Sequence, residues 1–119
     1  KSTLLNLVAG TLRPAAGSIM LAGHDTTALR GAALDRIRAD HIGFVFQMFN
    51  LLPFLPVLDN VLLPCRFSAR RRARAVERDG SLEAGARRLL AQLGLTDAAL
   101  LRRPANGLSV GQQQRVAAA

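Results

Sequence analysis

One short stretch constrains this chain more than any other: Leu108-Ser109-Val110-Gly111-Gln112-Gln113-Gln114-Arg115-Val116-Ala117-Ala118-Ala119. Ser109 is a favoured N-cap, and Gln112 three residues later completes an S-x-x-Q capping box, so a helix starts here. Gly111 carries no Cβ, which lets another molecule come close to the backbone of the first turn. The first-turn N–H groups and the positive end of the helix dipole then form a place suited to an anion such as phosphate. An ordinary capped helix would use the same residues. The rest of the chain has to decide between the two.

Lys1-Ser2-Thr3 runs into Leu4, Leu5, Leu7 and Val8, an apolar helix expected to lie against a sheet. Pro14 and Gly17 mark a loop and turn. Between Gly17 and Gly23, Ile19 and Leu21 alternate as in a short strand, and His24-Asp25-Thr26-Thr27 reads as a polar turn. Residues 28–39 read as a helix with Leu29, Ala33, Leu34 and Ile37 roughly on one side. His24 and His41 stand on either side of it, in surface or capping roles rather than as metal ligands. Ile42-Gly43-Phe44-Val45-Phe46-Gln47 has the β-branched and aromatic content of a buried central strand. Ligands of open α/β sheets sit beyond the carboxyl ends of the strands, which places Gln47 at such an end.

The segment from Met48 to Pro56 is too apolar for an ordinary surface loop. Pro56 suits a helix start, continued by Val57 to Pro64. Phe49, Leu51, Leu52, Phe54 and Leu55 are explained either as core or as a groove for a partner. Arg70, Arg71, Arg72, Arg74 and Arg78 then form a solvated helix face, with anionic lipid head groups as a conceivable neighbour. Asp79-Gly80-Ser81 makes a turn with Ser81 as N-cap. Leu82, Ala86, Leu89, Leu90 and Leu93 share one face of a helix that Gly94 ends, and Glu83 and Arg87 pair along it. A shorter helix from Leu95-Thr96-Asp97 through Leu100 and Leu101 stops before Pro104.

The chain has 119 residues and a formal charge of +8. That charge invites a nucleic-acid reading, but no aromatic residues interleave with the arginines to stack on bases. No nucleic-acid partner is expected. Cys65 is the single cysteine, which excludes an internal disulfide and a cysteine-rich zinc site. The apolar runs are short and broken by Pro or charge, so no membrane span is read. The abrupt start at Lys1 and the stop inside a helix at Ala119 suggest a piece of a longer protein.

Three motifs together resemble those of ATP-binding cassette (ABC) ATPases. Residues 108–115 resemble the LSGGQ-Q-x-R signature, with Val110 in place of the commoner Gly. Lys1-Ser2-Thr3 resembles the end of the P-loop, G-x-x-x-x-G-K-[ST]. Gln47 resembles the Q-loop glutamine. Residues 42–64 are similar to the I-G-F-V-F-Q-x-F-N-L-L-P-x-L-x-V-L-x-N-V-x-L-P segment of the subgroup that includes lipoprotein-releasing, macrolide-exporter and cell-division-associated ATPases, which the resemblance places where the membrane subunit's coupling helix docks. Ala105-Asn106-Gly107 departs from the family pattern by one extra residue before Leu108.

The resemblance implies an α/β fold: a P-loop NTPase core fragment of ABC type plus the ABC helical subdomain. The implied division is nucleotide core over 1–47, Q-loop and helical subdomain over 48–110, and the signature helix from 111 to 119. It implies ATP and Mg²⁺ as cofactors, with Lys1, Ser2 and Thr3 on the ATP phosphates and Ser2 and Gln47 toward Mg²⁺. Gln47 would also position the attacking water. Leu108, Ser109, Val110, Gly111 and Gln112 would meet the ATP of an opposite subunit. The implied activity is transport-coupled ATP hydrolysis in the full-length protein and none in this piece alone, since the family's catalytic, hydrolytic Glu and its switch His would follow residue 119. The implied partners are a second nucleotide-binding subunit and a transmembrane permease, at the cytoplasmic face of the membrane, with export or release of a lipoprotein, drug or peptide as the task. A non-transport ABC ATPase of DNA repair or translation, or a cell-division-associated one, is the alternative. Neither a long coiled-coil insertion between Gln47 and Ser109 nor a zinc module supports the non-transport branch.

Overall fold

The computed structural model describes residues 2–46 and 48–119, which fall into two compact units, Lys1–Gly43 and Phe44–Ala119. The first unit begins with helix α1, Ser2–Val8, and continues into a hairpin of β1, Met20–Leu21, and β2, His24–Asp25. Met20 pairs with Asp25 and Leu21 with His24, antiparallel. The turn falls on Ala22 and Gly23, both at positive φ (49° and 83°), rather than on the expected residues 24–27. A two-residue hairpin loop needs that left-handed pair to match the strand twist.

Residues 25–28 are instead shaped by Asp25, whose carboxylate accepts from the Thr27 N–H at 2.9 Å and from the Thr27 hydroxyl at 2.5 Å. Those bonds, the hydroxyl's first, hold the Asp25 carboxyl below its ordinary pKa. Helix α2 therefore starts late, as Gly31–His41, and buries Leu34. Thr26 is buried and donates its hydroxyl to the Ile19 carbonyl at 3.0 Å, tying the hairpin base together.

Two expectations for this part of the sequence do not hold. Leu4 and Leu5 of α1 are 65% and 66% exposed. Residues 42–46 are extended but form no strand, and Phe44, Val45 and Phe46 are exposed. The physical reason is common to both. A buried strand is defined by its ladder partners, and among the described residues β1 and β2 form the one ladder. Without neighbouring strands, neither the extended run nor the apolar face of α1 has a sheet to lie on.

The second unit is helical. Helix α3, Val57–Phe67, is followed by α4, Ala69–Asp79, then α5, Leu82–Gln92, and α6, Ala98–Arg102. A 3-10 turn at Ala105–Gly107 leads into α7, Val110–Ala118. Pro56 is the N-cap of α3 rather than its first helical residue. Each later start has its own side-chain cap: the hydroxyls of Ser68 and Ser81 accept from the N–H groups of Arg71 and Ala84, and Asp97 accepts from Ala99. Gly80 and Gly94 end α4 and α5 in left-handed geometry.

These caps aim the helices at one core of Val57, Leu90, Leu95, Leu101, Ala105, Leu108 and Val116. Val57 and Leu90 are fully excluded from solvent, each burial contributing about 1.5–3 kcal/mol. Of the α5 face expected from periodicity, Leu90 enters this core and Ala86 is buried, whereas Leu82, Leu89 and Leu93 are half-buried. Its Glu83–Arg87 pair forms at 2.8 Å.

Asp79, at the end of α4, receives the Arg88 guanidinium of α5 at 2.6 Å. Gly85 permits this approach, since a Cβ there would stand 2.9 Å from Asp79 Oδ2. The Arg88 hydrogen bond, outweighing the cost of burial and helped by the arginine's charge, holds the Asp79 carboxyl below its ordinary value. A depressed folded-state pKa contributes stability above the ordinary carboxylate pKa of about 4, and that contribution is lost as pH falls through the lowered value. Arg88→Ala should therefore lower the urea midpoint at neutral pH, with the gap to the parent closing in acid as Asp79 is protonated. Parallel urea titrations at neutral and acid pH check this; an unchanged gap would assign the loss to packing alone.

Candidate functional site

Helix α7 opens as the sequence requires. The Ser109 hydroxyl accepts from the Gln112 N–H at 3.3 Å, and the Gln112 side chain accepts from the Ser109 N–H at 2.9 Å. Gln112 is half-buried, whereas Ser109, Val110 and Gly111 are exposed, Val110 to 70%. Nothing lies within 4 Å of the position a Gly111 Cβ would take. Leu108 is buried and anchors the start of the helix, and its carbonyl accepts from the Gln113 side chain at 3.1 Å. Leu108 and Val116 thus fix the helix from below while Ser109 to Gly111 face open space. The capping box stabilises the helix without consuming every first-turn N–H group.

The other sequence-derived residues fall elsewhere. Lys1 and Gln47 lie outside the described residues. Ser2 and Thr3 occupy the first turn of α1 and are exposed, in the first unit. Among the described residues no His, Cys, Asp and Glu group is arranged to hold a metal ion. The His24 and His41 rings lie 6.1 Å apart, tilted, within the first unit.

The apolar segment divides between its two explanations. Leu51 packs against the core, and Leu52 and Leu55 are half-buried, whereas Phe54 is 70% and Met48 83% exposed. Phe49 and Asn50 both take left-handed backbone geometry, at φ 59° and 48°. That is an uncommon conformation for a bulky side chain such as Phe. It makes a sharp reversal in which the Phe49 N–H donates to the Phe46 carbonyl at 3.0 Å. Phe44 and Phe46 stack with ring centroids 5.5 Å apart. A cavity of about 860 Å³ opens beside this turn, with apolar walls including Phe46, Leu62 and Leu89 and with Arg74 and Arg78 among its lining.

Sequence reasoning places Asn60 in the family-like pattern of residues 42–64 but gives it no role. It is 8% exposed in a helix that also carries Asp59 and Arg66, and its side chain reaches four backbone partners in residues 52–56. The available signal was a polar amide three residues after the apolar Val57, and so on the same side of the helix. Such an amide is stable there only when both ends find partners.

The cap yields a direct test. Ser109→Ala should cost about 0.5–2 kcal/mol, and Ser109→Asn, another good cap, should restore most of it. Denaturant unfolding of the three proteins measures both; an Asn variant as weak as the Ala variant would mean the cap is not what stabilises this start.

Comparison with known proteins places these features in a wider setting. The family model for the ABC transporter matches residues 1–119. The macrolide export ATP-binding/permease protein MacB of Rhodopseudomonas palustris (strain BisB18) is 43% identical over 119 residues, covering all of this chain and 17% of MacB. The lipoprotein-releasing system ATP-binding protein LolD of Anaeromyxobacter dehalogenans (strain 2CP-C) is 45% identical over 119 residues, covering all of this chain and 46% of LolD. Among solved structures, the dimeric post-hydrolysis state of the ATP-binding cassette MJ0796 bound to ADP and Pi superimposes with a TM-score of 0.77 at 38% identity, over 98% of this chain and 48% of that one. The chain spans less than half the length of each of these relatives.

Proposed function

The chain belongs to the ABC transporter family, and from that premise we propose that it is part of the ATP-binding subunit of a transporter that couples ATP binding and hydrolysis to export or release of a substrate. The observation that carries this reading is the open start of α7, where a capped helix presents Ser109 and an unobstructed Gly111 to solvent. A second cassette's ATP is the anion we assign to it. The dimeric MJ0796 cassette, bound to ADP and Pi, supports that assignment.

Under this reading, Lys1, Ser2 and Thr3 hold the phosphates of the cassette's own ATP, with Ser2 and Gln47 toward Mg²⁺. The cofactor supplies a γ-phosphoryl group for transfer to water. Phosphoryl transfer demands charge neutralisation and positioning more than covalent chemistry, which is what a lysine, a hydroxyl and helix N–H donors provide. Ser109 and Gly111 serve the opposite site in trans, and the site is complete only when two cassettes meet. We assign residues 1–47 to the nucleotide core, 48–110 to the Q-loop and helical subdomain, and the signature helix from 111. Catalysis by these residues alone is not expected.

The membrane partner is a permease, contacted through the exposed Phe54 face, and the subunit lies on the cytoplasmic side of the membrane. No helix among the described residues is long and apolar enough to cross a membrane. MacB and LolD, by name a macrolide exporter and a lipoprotein-releasing protein, point to export or release rather than uptake.

Gly111→Asp separates this reading from that of a plain scaffold helix. A carboxylate in the first turn suits the helix dipole, so folding should be little affected. It would, however, face the incoming phosphates. In a cassette of the relatives' full length, with the hydrolytic glutamate disabled, the variant should bind ATP as a monomer and fail to form the ATP-trapped dimer on size exclusion. Dimerisation equal to the parent's would remove the trans phosphate site and the function built on it.

A further inference from the structure

The start of α7 is held from a distance, and the holding residue is on another helix. Asn60 of α3 accepts from the Leu52 N–H at 2.8 Å, while its two amide N–H groups are shared among the carbonyls of Leu52, Leu55 and Pro56 at 3.1, 3.1 and 3.2 Å. One side chain thereby fixes the whole 52–56 loop. That loop is in turn the template for the segment leading into α7. Val57 N–H donates to the Arg103 carbonyl, Ala105 N–H to the Leu55 carbonyl and Asn106 N–H to the Pro53 carbonyl, each at 3.0 Å.

Between the first two of these bonds Pro56 faces Pro104 in an antiparallel bridge. Theirs is a pair position that uses no N–H from either residue, which is why two prolines are tolerated there. The Leu55 carbonyl is the junction, accepting from both Asn60 Nδ2 and Ala105 N–H. From Ala105 the path to the signature is short. Ala105 is buried, its carbonyl accepts from the Leu108 N–H at 3.3 Å, and Ser109 follows.

We propose that Asn60 is a positioning residue for the signature: through the Leu55 carbonyl it sets where residues 103–108 run, and so where Ser109 and Gly111 stand. This inference rests on the reading that Ser109 and Gly111 meet a second cassette's nucleotide. Asn60 touches no nucleotide itself. Its effect belongs to assembly of the two cassettes and not to nucleotide binding by one. It also makes the exposed Phe54 face and the signature parts of one backbone-bonded assembly.

Asn60→Asp isolates the donors, because Asp has the same shape and can still accept from the Leu52 N–H but cannot donate to the three carbonyls. In a cassette of the relatives' full length with the hydrolytic glutamate disabled, ATP affinity should be unchanged while ATP-driven dimerisation weakens by about 5-fold or more. Without nucleotide, hydrogen exchange should quicken at residues 105–112 and not around Leu90. A cysteine pair, Pro56→Cys with Pro104→Cys, gives the rescue. Opposed residues at such a position have Cα atoms about 4.5 Å apart, within disulfide reach. Closing that bond in the Asn60→Asp background should recover dimerisation, and reduction should abolish it again.

Parent-like dimerisation by Asn60→Asp, with Gly111→Asp still blocked, would overturn the role of Asn60 and leave the nucleotide site standing. Dimerisation by both variants would overturn the site itself. If Asn60→Asp unfolds even with the disulfide closed, or exchange rises equally at Leu90, Asn60 is a scaffold residue and the proposal fails.

Discussion

The second unit depends on a short antiparallel contact in which residues 53–57 lie against 103–106. It joins the entry to α3 with the entry to α7, two helices whose starts are far apart in sequence. Without it, Val57, Ala105 and Leu108 would have no reason to share a core with Leu90 and Val116. Backbone bonds of this kind each contribute modestly, about 0.5–1.5 kcal/mol net. Their value here is directional. They fix two helix entries in register, and burial of the apolar side chains then supplies the larger energy.

The Asn60 side chain solves the problem that this contact creates. A loop that turns from an apolar run into α3 leaves carbonyls and N–H groups of residues 52–56 near the core, where unpaired polar groups are costly. An amide has a donor end and an acceptor end and can satisfy both kinds at once. No buried side-chain nitrogen or oxygen among the described residues is left without a partner. Asp79 and Arg88 resolve the α4–α5 turn by the same logic with charge, and Gly85 makes the room.

What the sequence made legible follows from how local each feature is. The Ser109–Gln112 box, the Ser81 cap, the Gly94 stop and the Leu82–Leu90 face all depend on residues a turn or two apart, and all are present. The expected strand at residues 42–47 depends on partners that local pattern does not supply, so its described part is extended without forming a strand. Similarly, the apolar side chains of α1 announce burial without saying against what. The role of Asn60 was illegible for another reason. A polar residue on the apolar side of a helix signals a buried partner, but which backbone it satisfies is set by a loop whose path no periodicity encodes. The motif residues divide in the same way, since Ser109 to Gln112 carry their own geometry whereas Ser2 and Thr3 take meaning only from the resemblance.

Under the proposed function, the start of α7 has two roles that pull in one direction. A helix that must receive a phosphate needs exposed N–H groups, which are otherwise a defect at a helix end. The capping box stabilises that end from the side, through Ser109 and Gln112, and leaves the face at Gly111 clear. Stability is taken from below by Leu108 and Val116, both buried, rather than from contacts around the open turn. The exposed Val110, which stands where the family usually has glycine, fits this division. Its side chain occupies solvent at 70% exposure and does not close the space over Gly111. A Cβ is therefore tolerable at position 110 on grounds of space, whereas at 111 it would enter the opening that the helix keeps free.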